Sequence, residues 1–151
     1  MFSIAFPEHT SYKGLQTNFP KMVVSGQKKH TIRAGNRWKV EDKFSPRIWQ
    51  GKPYRSPQMA FSQDITIKKI YDFEIKDFGF FINGQPCNPR VIDLVAKNDG
   101  LSLQAFIEWF DFPTPFKGQI ICWDDKVNYD NIEELNKVLS ETEYVSEFKT
   151  K

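Results

Sequence analysis

The clearest alternation in the chain runs through DITIKKIYDFEI, residues 64–75. Ile65, Ile67, Tyr71, Phe73 and Ile75 share one period-two face, interrupted only by Lys69. That pattern predicts a half-buried strand. Shorter apolar or β-branched runs predict further strands at FSIAF (2–6), HTIR (30–33) and GQIICW (118–123). FSPRIW (44–49) reads as a strand at an edge or a bulge, because Pro46 has no amide to give a central ladder. FFINGQPC (80–87) carries Asn83-Gly84, a hairpin signal, since both residues tolerate positive φ.

Four stretches change period. FPKMVVSG (19–26) predicts a short helix with Pro20 in its first turn and Gly26 as a left-handed stop. NPRVIDLVAK (88–97) predicts a second, with Asn88 as N-cap and Pro89 in the first turn. In LSLQAFIEWF (101–110), Leu103, Phe106, Ile107 and Phe110 recur at helical spacing. YDNIEELNKVL (129–139) predicts a last amphipathic helix, opened by an Asp130-to-Glu133 cap pattern. QGKPYRSPQ (50–58) reads as an exposed loop, and the tail from 141 onward has little to bury. These elements predict an α+β domain over residues 1–125: a small, mostly antiparallel β-barrel with flanking helices. Residues 126–151 would add a C-terminal helix and a frayed tail beside it.

Composition narrows the picture. A chain of 151 residues carries one ordinary domain. No apolar run approaches the ~20 residues that cross a bilayer, and the N-terminus does not read as a signal peptide, so no membrane partner and a cytoplasmic location are expected. Cys87 and Cys122 are far apart and read as buried thiols, and His9 and His30 lack partners at ligand spacing. Neither a metal site nor a cofactor is expected. Net charge is only +2, but residues 21–55 hold ten Lys or Arg against Glu41 and Asp42. Trp38, Trp49, Tyr54 and Arg55 lie in that basic third, and the mixture suits a groove that neutralises phosphates and stacks on bases. A solvated exterior would carry the same charges.

The densest cluster is GQKKHTIR (26–33), where Lys28, Lys29 and Arg33 surround Thr31. Together with KNDGLSLQAFIEWF (97–110) and GQIICW, it resembles the ASCH domain family, whose fold is a PUA-like barrel. The resemblance covers roughly residues 15–124. One branch of that family hydrolyses the amide of N4-acetylcytidine. Its motif implies Lys28 and Thr31 as catalytic residues, with its later acid falling on Asp99. The family has Glu where this chain has Asp99, one methylene shorter, and Thr where it has Lys29. Lys29, Arg33 and Ser102 would then help bind a nucleoside, nucleotide or RNA element, with Trp38, Trp49, Tyr54 and Arg55 nearby.

Chemically, a threonine hydroxyl needs a base, and a lysine of lowered pKa supplies one. Arg33 and Lys29 would lower that pKa and Asp99 would raise it. Arg33, two residues from Thr31, shares its strand face and suits an oxyanion or a phosphate. Lys28 and Thr31 are three apart, so they share a site only if Lys28 precedes the strand. A non-catalytic RNA-binding module and a ribonuclease using the same cleft remain alternatives. So do a solvated turn at Lys28-Lys29, a structural ion pair at Arg33 and a plain turn at Asp99-Gly100.

Overall fold

The computed structural model describes residues 2–6, 19–49, 58–60 and 63–140. In chain order the elements are β1 (Phe2–Phe6), α1 (Phe19–Ser25), β2 (His30–Ala34), β3 (Lys43–Trp49), β4 (Gln58–Ala60) and β5 (Ile65–Thr66). There follow β6 (Lys69–Lys76), β7 (Gly79–Ile82), β8 (Gln85–Pro86), α2 (Pro89–Asn98), α3 (Leu103–Trp109) and β9 (Phe116–Cys122). A further helix, α4, spans 132–140. The architecture is α+β and mostly antiparallel. One sheet runs β2-β9-β6-β7-β8, and a second is built on β3, which pairs with β1, β4 and β5. The β1–β3 pair is parallel.

Closure into a barrel, expected from the sequence, is not observed among the described residues: each sheet is open. The two sheets are joined through the strongest alternating run. Ile65 and Thr66 pair with β3, but from Lys69 the chain pairs with β9 in the other sheet. The corner is held by Ile67, whose amide donates to Asp42 and whose carbonyl accepts from Glu41, and by Lys68, whose amide donates to Cys122. Ile67, Tyr71, Phe73 and Ile75 nevertheless stay buried, so the inward period survives the change of sheet. Lys69 breaks it because its Nζ donates to the Val127 carbonyl at 2.6 Å.

Pro46 does not mark an edge. Strand β3 lies inside its sheet, with β1 on one side, while β5 pairs at Lys43–Phe44 and β4 at Arg47–Trp49 on the other. Pro46 falls in the gap between those two partners, where no ladder amide is needed. Asn83 and Gly84 have φ of 49° and 78°, the two-residue turn expected. Asp77 and Phe78 make a second such turn, at φ 50° and 58°.

The Asn88 side chain accepts from the Val91 amide at 2.9 Å and so caps α2. It also donates to the Asn136 carbonyl and to Ser140 Oγ, which ties α4 to α2. The α4 cap is Asn131, whose Oδ1 accepts from the Glu134 amide, one residue later than the sequence pattern suggests. Asp130 instead accepts from the Tyr71 hydroxyl. Val127, Tyr129 and Ile132 are each buried in the core. Residues 126–140 therefore complete the domain rather than decorate it. Residues 50–57 and the tail from 141 lie outside the described residues.

Candidate active site

Helix α1 ends at Ser25, and Gly26, at φ 86°, turns the chain back with its amide on Val23. The Lys28 amide then donates to the Met22 carbonyl. Lys29 is stitched on both sides: its amide donates to Asn98 at 2.7 Å, and its carbonyl accepts from Trp123 at 3.3 Å. This segment is thus wedged between the end of α2 and the end of β9, and Lys28 precedes β2.

From the other direction, α2 ends on Asp99, its C-cap, and Gly100 follows at φ 86°. The two segments meet. Lys28 Nζ donates to Asp99 Oδ1 at 3.0 Å and to the Asp99 carbonyl at 2.6 Å. Lys28 is only 1% exposed and Asp99 4%. His30 Nδ1 lies 3.2 Å from the same Oδ1, and its Nε2 lies 2.8 Å from the Tyr129 hydroxyl. Asn98 Nδ2 donates to that hydroxyl at 2.9 Å. The result is a buried polar chain of five side chains drawn from three parts of the sequence.

Burial lowers the Lys28 pKa, against the pull of Asp99, and the Arg33 charge lowers it further. Burial would raise the Asp99 carboxyl, but the Lys28 charge and the His30 bond outweigh it and hold the pKa below the ordinary carboxylate range. His30 is pushed down by burial, more than its bond to Asp99 restores, and so is neutral. Burial lifts Tyr129 well above the ordinary phenol value, keeping it a hydroxyl. The site therefore pairs a carboxylate with an amine that gives up its proton more readily than a surface lysine.

Thr31 is buried, opposite Ile121 of β9. It follows the network along the backbone, and its side chain makes no hydrogen bond to Lys28 or Asp99. Arg33, two residues on, is half-buried, and its charge acts on Lys28. Lys29 folds back so that its Nζ donates to the Gly26 carbonyl. Ser102 caps α3 by accepting from the Ala105 amide, a structural duty. Trp38 is 4% exposed, with its backbone clamped by two bonds to the Gln119 side chain. A ring so enclosed has no face left for a base, which corrects its assignment as a stacking platform. Trp49 ends β3 but its side chain, like Tyr54 and Arg55, falls outside the described residues.

His30, Asn98 and Tyr129 were not among the sequence candidates for the site. His30 had one available signal: it stands two residues from Lys28, on the side of the chain that meets Asp99. Nothing local singles out Tyr129, which arrives from beyond β9. Cys87 and Cys122 are free thiols pushed up to about 12 by burial, so neither is a nucleophile in waiting. A cleft of about 850 Å³ opens elsewhere, among Gly35, Asn36, Asp72, Glu74, Asn83 and Lys117, and contains none of the network. Compared with protein-family models, curated proteins and solved structures, the chain finds no match. Among the described residues no helix is long and apolar enough to cross a membrane.

Proposed function

We propose that this protein is an ASCH-type hydrolase that removes the acyl group from an N4-acylated cytidine, with Lys28 and Asp99 as its acid–base pair. The reading rests on one observation above all. The two motifs that carry the resemblance lie 71 positions apart, and Lys28 of one meets Asp99 of the other at 3.0 Å in a buried pair. A buried lysine–carboxylate pair is a costly way to stabilise a fold. It suits a site that needs an amine of lowered pKa.

In the proposed reaction the Thr31 hydroxyl adds to the acyl carbonyl while Lys28 accepts its proton. Lys28 returns that proton to N4 of the cytosine as the C–N bond breaks. Water then releases the carboxylic acid and regenerates Thr31. Arg33, on Thr31's strand face, stabilises the oxyanion. Exposed Lys21, Arg37, Lys39 and Lys43 favour a substrate that carries phosphates, a nucleotide or an RNA residue, over the bare nucleoside.

The test is acetate release from N4-acetylcytidine and from an oligonucleotide containing it. Thr31→Ala should remove turnover with the fold intact. Asp99→Glu should keep turnover measurable, because it supplies the longer acid of the family. Turnover unchanged in Thr31→Ala, or absent from the wild type on both substrates, rejects the hydrolytic reading.

A further inference from the structure

The hydrogen bonds around Asp99 run in one direction. The Asn98 amide nitrogen is a donor, so the Tyr129 oxygen accepts from it and has its own proton to give. Nε2 of His30, 2.8 Å away, is where that proton goes. An imidazole that accepts at Nε2 and is neutral carries its proton on Nδ1, which faces Asp99 Oδ1 at 3.2 Å. The opposite tautomer would set a lone pair of Nδ1 against a carboxylate oxygen and leave the tyrosine proton without its acceptor. Lys28 also ends on Oδ1. Among the described residues, both side-chain bonds to the carboxylate therefore reach Oδ1, and none reaches Oδ2. The Asp99 side chain retains 6% exposure.

We infer that His30, held by Tyr129 and Asn98, is a positioning residue that fixes Asp99 by Oδ1 and leaves Oδ2 as the oxygen presented to a bound substrate. The role in turnover rests on the hydrolytic reading above; the arrangement itself does not. A carboxylate held by one oxygen from two sides cannot rotate about its last bond, so its second oxygen has a defined direction. The groups facing it are Lys28 from the segment before β2, Asp99 at the end of α2, Tyr129 beyond β9, Tyr71 of β6 and Cys122 of β9.

Nitrogen-15 NMR of the imidazole reads the arrangement without any assay of activity. At pH 7, His30 should be neutral, with Nδ1 protonated and Nε2 unprotonated, and Tyr129→Phe should weaken that preference. A protonated Nε2 in the wild type, as the other tautomer or as an imidazolium, overturns the inference. Kinetics reads the consequence. His30→Leu should lower kcat on the order of 100-fold with little change in KM and move the acidic limb of the pH–rate profile upward. His30→Asn, which keeps a donor near the Nδ1 position, should recover part of both. If His30→Leu leaves kcat and that limb in place, the inference fails while the hydrolytic reading stands. If the wild type hydrolyses nothing, the hydrolytic reading fails and the tautomer alone decides the arrangement.

Discussion

Lys28 gives two of its hydrogen bonds to a single residue, the carboxylate and the carbonyl of Asp99. Removing one partner of such a buried pair leaves the other charge uncompensated, so Lys28→Met should cost about 3–5 kcal/mol. The double variant Lys28→Met/Asp99→Leu should recover part of that loss, since the Asp99 carbonyl still lacks its donor. Urea unfolding of both single variants and the double shows the coupling directly. His30 adds a pH dependence of definite sign. Its folded pKa lies below the ordinary 6.5, so between the folded value and 6.5 the unfolded chain binds more protons. Stability should therefore rise with pH across that window, by up to about 1.4 kcal/mol per pH unit. Asp99, also depressed, contributes stability above the ordinary carboxylate pKa and loses it as pH falls through its folded value. Unfolding midpoints should drop from pH 7 downward, and His30→Gln should flatten the upper part of that slope. Of these residues, Lys28 and Asp99 were named only through the resemblance carried by GQKKHTIR and KNDGLSLQAFIEWF. Tyr129 was not named, because its link to His30 is a tertiary contact with no local trace.

Strand β2 carries His30, Thr31 and Arg33, and β9 pairs with it along its length. Gly118 of β9 sits opposite Ala34, where a Cβ would overlap the Arg33 carbonyl oxygen. Gly118→Ala should therefore displace β2, cost about 1–3 kcal/mol and lower turnover although Gly118 touches neither Lys28 nor Asp99. Thermal unfolding and the acetate assay together check it; an unshifted melting temperature would contradict it. Element positions were largely readable because caps and turns are local chemistry: Asn88, Gly26 and Asn83-Gly84 each act where the sequence puts them. The errors were of partnership. Pro46 signalled a missing ladder amide correctly, yet the gap lies between two partners inside a sheet, which no local pattern encodes. The long alternation from Ile65 to Ile75 likewise says which side faces inward, but not that the strand changes sheet at Ile67.

At the scale of the whole molecule, α4 and the segment before it close the core over Tyr129 and Ile132. A chain ending at residue 125 should lose cooperative unfolding, because it removes three core side chains and the hydroxyl bound to His30. The basic exposed surface should act on substrate capture rather than on chemistry. KM for an N4-acetylcytidine oligonucleotide should rise with salt, while KM for the nucleoside stays level. The most direct measurement of the central claim compares acetate release from N4-acetylcytidine by the wild type and by the folded Lys28→Met/Asp99→Leu variant. The expected result is turnover by the wild type and none by the variant; equal turnover by both, or none by the wild type, would contradict a hydrolytic Lys28–Asp99 site.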